Sequence, residues 1–193
     1  MKKFKLTSEF IVDISGVKLF RIKALIEFGN VKAGDLGGYI EKEENLSHMG
    51  NAWVSGNARV SGDARVFGNA RVSGNARVSS NARVSGDAQV FGDARVSGNA
   101  QVFGDARVSG DKDYAYAHGF GSCNRTTTFF RLKDGDVGVR CGCFYGTLAQ
   151  FRDNVCETHG ETKKAQEYLM LADLMELRFE EDENEVGNRK YVE

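Results

Sequence analysis

Seven arginines, at positions 59, 65, 71, 77, 83, 95 and 107, recur at multiples of six residues. A guanidinium is a planar fork that bonds phosphate or carboxylate through two parallel N–H groups and stacks on nucleobases. From Gly50 to Asp111 these seven face five aspartates and no Lys or Glu, a cationic stripe on a chain of net charge −1. If positions 18 apart lie above one another, Arg59, Arg77 and Arg95 form one ladder and Arg65 stacks with Arg83. Cations about 5 Å apart repel by roughly 0.8 kcal/mol in water. Two readings stand. The stripe is a solvated face compensated by Asp63, Asp87, Asp93 and Asp105, or it is an anion site.

A second cluster lies in Gly119-Phe120-Gly121-Ser122-Cys123-Asn124-Arg125-Thr126. Its glycines let backbone amides approach an anion, and Ser122, Asn124, Arg125 and Thr126 offer donors. The same glycines also serve a plain turn. The histidines, His48, His118 and His159, all stand outside the arginine region. Cys141-x-Cys143 and Cys156-x-x-His159 could supply four zinc ligands. Cys141 and Cys143 also alternate with Arg140 and Gly142, as small apolar residues of one strand face do.

These residues are positioned by a repeat. Valine occupies every sixth place from Val54 to Val108, ten times, and alanine does so from Ala52 to Ala106. Asn or Asp fills every sixth place from Asn51 to Asp111, preceded by Gly except at Ser80. A helix of 3.6 residues per turn cannot keep such a pattern on one face, and a Gly per unit costs it about 1 kcal/mol. A short strand closed by a tight corner can. Ala and Val are two apart and point inward, with Arg or Gln between them pointing out. Gly and Asn tolerate left-handed angles at the corner. Three sides make an 18-residue coil, and coils stack at strand spacing.

This unit resembles the hexapeptide repeat of left-handed parallel β-helices; the left hand comes from that resemblance. The flanks, Ala33-Gly34-Asp35-Leu36-Gly37-Gly38-Tyr39-Ile40 and later Gly121-Ser122, Cys141-Gly142-Cys143-Phe144 and Gly146-Thr147-Leu148, resemble hexapeptide-repeat proteins of phages and prophages. Those are transferase-like and without demonstrated chemistry. The resemblance implies a homo-oligomer, in particular a trimer with clefts between subunits. Enzymes of the repeat family place a catalytic His near such a cleft. Residues 50–111 hold no His and no inserted loop, so an enzyme is disfavoured and no catalytic residue, cofactor or metal is assigned.

The expected fold is therefore mainly β. Residues 1–49 form an N-terminal cap and first imperfect coil, with a strand over residues 17–25 and a turn from Gly34 to Gly38. The hexapeptide-repeat β-helix covers 50–111. Residues 112–179 carry a hairpin around Asp134-Gly135 plus two helices. A capping box of Thr147 and Gln150 starts the first, which ends at Gly160. The second, 162–179, is apolar on a wide face through Ala165, Tyr168, Leu169, Ala172, Met175 and Phe179, broadened by Met170, Leu171, Leu174 and Leu177. That breadth predicts burial on several sides. Residues 180–193 read as an acidic tail. Phe67, Phe91 and Phe103 each follow an inward Val and should point out, as subunit contacts.

No stretch of 18 apolar residues exists, no signal core follows Lys2 and Lys3, and net charge is near neutral. The expectation is a cytoplasmic protein of a bacterial or phage-infected cell that neither spans membrane nor coats nucleic acid. Its expected function is non-catalytic binding of an anionic, nucleotide-type ligand, such as a host immune signal sequestered by a phage. Ligand-binding residues would be Arg59, Arg77, Arg95, Arg65, Arg83, Ser122, Asn124, Arg125 and Thr126. The alternatives are a structural or protein-inhibiting scaffold and a trimeric acyltransferase.

Overall fold

The computed structural model describes residues 2–180. The acidic residues Glu181, Asp182, Glu183 and Glu185 lie outside the described residues. The chain is mainly β, a solenoid of about four coils followed by a sheet and two helices.

The solenoid begins with a hairpin of β1 (Phe4–Val12) and β2 (Lys18–Ala24), then β3 (Leu36–Ile40). Ten two-residue strands follow: β4 (Trp53–Val54), β5 (Arg59–Val60), β6 (Arg65–Val66), β7 (Arg71–Val72), β8 (Arg77–Val78), β9 (Arg83–Val84), β10 (Gln89–Val90), β11 (Arg95–Val96), β12 (Gln101–Val102) and β13 (Arg107–Val108). They stack in parallel into three faces. One sheet has the order β1-β2-β3-β5-β8-β11, the second β13-β10-β7-β4 and the third β12-β9-β6. Each pairing among these ten strands joins residues 18 apart, such as Arg59 with Arg77 and Val60 with Val78. The 18-residue coil and the register read from the sequence are the observed ones.

Every Val from 54 to 108 and every Ala from 52 to 106 is fully buried and forms one continuous core. The corners need glycine. Gly74 has φ +67°, and a Cβ there would stand 3.0 Å from the backbone nitrogen of Gly92 in the next coil. Ser80 takes the same turn at φ +60° without that freedom. At the corners, side chains also link coil to coil: Asn75 donates to Asp93 and Asn69 to Asp87.

Along the ladders, N–H groups such as that of Arg59 donate to carbonyls of the next coil, here Ala76. Backbone groups at each end of the stack meet side chains from the flanking segments instead. At the start, the Asn45 side-chain amide donates to Gly62 and Ala64, and the Lys3 ammonium to Gly50 and Ala52. At the finish, Asp111 accepts from the Arg95 N–H, Asp113 from Ser109 and Gly110, and Thr128 from Gln101. Side chains from the flanking segments thus meet backbone groups at both ends, so neither is left as a raw sheet edge.

The cap holds more strand than the sequence reading gave it. β1 was not anticipated, and Gly37 and Gly38 lie inside β3 rather than in a turn. A Cβ on either would run into Ile22, Val54 or Ala58.

The C-terminal region is an antiparallel sheet in the order β14 (Tyr114–Phe120), β15 (Arg125–Arg131), β16 (Val137–Cys141) and β17 (Phe144–Thr147). Helices α1 (Leu148–His159) and α2 (Lys163–Phe179) follow it. The hairpin, the Thr147–Gln150 capping box and the Gly160 end are as expected. Strands β14 and β17 extend the hairpin into a sheet. Alternation along β15 joins the two cores: Phe130 plugs the prism while Phe129 packs with Phe151 under the helices. No helix among the described residues is long and apolar enough to cross a membrane.

Candidate functional site

Register places the arginines as the spacing predicts. Arg59, Arg77 and Arg95 pair in succession on the first face. Arg65 pairs with Arg83 on the third, where Gln101 takes the next rung. Three of the four compensating carboxylates have other partners. Asp63 is held by Lys42 at 2.7 Å, which keeps its carboxyl below the usual range, and Asp87 and Asp93 accept from asparagines. Among the described residues, none of Arg59, Arg65, Arg77, Arg83 and Arg95 has a carboxylate within 4 Å.

Two of these five, Arg65 and Arg83, open into a cleft of about 630 Å³. Its other walls are Phe67 from the same face and Glu43, Glu44, Leu46, Ser47 and His48 from the cap. Arg59, Arg77 and Arg95 are not among its lining residues. The cap residues were missed in the sequence because they lie where the six-residue pattern fails. Glu43 is drawn away from the arginines: Lys2 donates to it at 2.8 Å, holding its carboxyl below the usual range. The Glu44 side chain is exposed.

His48 stands at the cleft with both ring nitrogens in contact. Its Nδ1 accepts from the backbone N–H of Lys3 at 3.2 Å, so Nε2 carries the proton and faces Glu43 at 3.2 Å. The ring also stacks on Phe4, with centroids 4.3 Å apart. A general base needs a free lone pair aimed at substrate, and both nitrogens of His48 are occupied.

The glycine loop is not brought to the arginines. It lies past the far end of β14 from Tyr114, whose hydroxyl touches the Arg95 carbonyl. The Gly121 N–H already donates to Glu167, and the Ser122 N–H to the Tyr168 hydroxyl. Thr126 faces His118 at 2.9 Å, while Asn124 and Arg125 are exposed. The loop's amides thus meet acceptors from α2. His159 stacks on Tyr168. Cys141 contacts Thr127, Cys143 and Cys156 are exposed, and no three potential ligands converge among the described residues.

The outward phenylalanines differ in fate. Phe67 is exposed and Phe91 half-buried, in a smaller hollow of about 330 Å³ with Trp53, Arg71 and Gln89. Phe103 points out but is covered within the chain: Tyr145 lies edge-on to it at 5.1 Å and Arg140 over it. The C-terminal sheet, which sequence reasoning did not dock on the solenoid, covers that ring.

A family profile described as the YdcK beta solenoid repeat matches residues 52–68, 58–74, 64–80, 70–86 and 88–102. The matched windows lie within the coils, so the likeness is to a repeat β-solenoid and extends to neither cap. Among curated proteins, none matches the chain.

Proposed function

We propose that the protein is a non-catalytic, oligomeric binding protein that holds an anionic, nucleotide-type ligand in the Arg65–Arg83 cleft. The observation that supports this is the meeting of two arginines on adjacent rungs, neither with a carboxylate within 4 Å among the described residues, with the exposed Phe67 ring in one concavity. The forks bond phosphate and the ring stacks on a base. A bound phosphate also relieves the repulsion between the two cations. In a phage setting, which rests on resemblance of the flanks, such a cleft sequesters a nucleotide immune signal of the host. The oligomer is expected to be a trimer.

Acyl transfer is the weaker reading, because the one histidine at the cleft has both nitrogens engaged. A protein-binding scaffold has one observation in its favour, the exposed Met170, Leu174 and Leu177 on α2. Calorimetry of the wild type and Arg83→Ala against linear and cyclic nucleotides separates the readings. Saturable binding that Arg83→Ala weakens supports the cleft. No binding by the wild type, or equal binding by the variant, favours the scaffold. Turnover of acetyl-coenzyme A lost in His48→Ala or His118→Ala favours the enzyme.

A further inference from the structure

The first solenoid face differs from the other two. It carries Arg at every rung from β5 to β11, namely Arg59, Arg77 and Arg95, where the other faces have Gln89, Gln101 or Trp53. Two positions on, it carries Ser61, Ser79 and Ser97, where the other faces interpose Phe67, Phe91 and Phe103. This face is a flat, repeating carpet of guanidiniums and hydroxyls with one cation per strand spacing of about 4.8 Å. It is also bounded. At one end the row continues in register to Tyr39 and Arg21, whose charge Glu9 meets at 3.1 Å. At the other, the Tyr114 hydroxyl and Asp111 close on the Arg95 backbone. Between these ends lie three arginines with no carboxylate partner within 4 Å among the described residues.

We propose that this face binds an extended acidic polysaccharide, a chain of linked uronic acids laid along the solenoid axis. In such a chain each sugar advances by about one strand spacing, so carboxylates recur at the period of the arginines. Long arginine stems let the forks follow carboxylates on either side of the chain. The serines face sugar hydroxyls. Single-stranded nucleic acid is the poorer match. It is held by aromatic platforms on which bases stack, and this face carries only serine at the position where the others include Phe67, Phe91 and Phe103. The site is separate from the Arg65–Arg83 cleft, whose lining includes none of these residues.

The test is a titration of the full chain with labelled di-, tetra- and hexa-galacturonate, a neutral glucan and oligo(dT). Arg77→Gln serves as the variant, since Gln already fills this place at Gln89 and Gln101, and Arg71→Gln as control on another face. The expected result is affinity that climbs from di- to tetrasaccharide, falls with salt, and drops about tenfold in Arg77→Gln. Arg71→Gln keeps the affinity, and thermal melting shows both variants folded. The proposal is overturned by no binding of the wild type, by no dependence on chain length, by equal or tighter binding of oligo(dT), or by equal losses in the two variants. Should Arg77→Gln fail to fold, Arg59→Gln and Arg95→Gln take its place, and unchanged affinity in both overturns the proposal.

Discussion

The ammonium of Lys3 lies 2.8 Å from the carbonyl oxygen of Ala52, with the side chain only 1% exposed. It also donates to Gly50 and sits over the Phe28 ring. A buried cation is costly unless its donors are used. Here it meets backbone carbonyls of the first coil at the starting end of the stack.

Lys3→Met should therefore destabilise the fold by about 1–3 kcal/mol at neutral pH, the cost of leaving such carbonyls unpaired. Burial lowers the Lys3 pKa from 10.5 to about 8. Between those values the unfolded chain binds more protons than the folded one, so this group's contribution to stability rises with pH. The stability gap between wild type and Lys3→Met should widen from pH 8 towards 10.5. Urea denaturation across that range checks it; a gap that narrows with pH contradicts the assignment.

Ser80 is the one corner of the regular repeat without glycine, and it sits at φ +60°. A left-handed residue with a Cβ costs about 1–2 kcal/mol, partly offset in a glycine variant by the freer unfolded chain. Ser80→Gly should stabilise the protein by about 0.5–1 kcal/mol. Gly74→Ala should do the reverse, since its Cβ would press on Gly92. Paired denaturation curves decide both.

For the cleft, Arg83→Ala removes a charge-assisted contact worth about 1.5–3 kcal/mol, a fall of about ten- to a hundredfold in nucleotide affinity. Arg83→Lys should restore only part, because it keeps the charge and loses the fork. Removing one of two repelling cations should leave the unliganded fold as stable as before, read by thermal melting. Full recovery by lysine would mean that charge alone is felt.

Along α2, Met170 and Leu177 are 70% and 68% exposed, and Leu174 lies between them on the same stripe. The opposite face, through Tyr168, Ala172 and Met175, is buried on α1 and the sheet. Sedimentation at micromolar concentration should show a species larger than one chain. Met170→Glu with Leu174→Glu should lower that mass without lowering the melting temperature. A wild type that sediments as a single chain contradicts the assembly.

The sequence alone determined the solenoid, because a six-residue period with glycine corners satisfies both core and turn in only one geometry. The period alone assigns Val78, Arg77 and Gly74 to core, surface and corner, and the 18-residue coil sets which arginines stack. The Thr147 cap and the Gly160 stop were equally local, each resting on residues within one helical turn. Tertiary structure decided what pairs at long range. Lys3 reaches Ala52, Glu43 and Ser47 fold over Arg65, and Tyr145 covers Phe103, across separations that no period encodes. It also decided which arginines share a concavity. All seven look alike within the repeat, and only the cap over one face makes a cleft at Arg65 and Arg83 while leaving Arg77 on an open sheet.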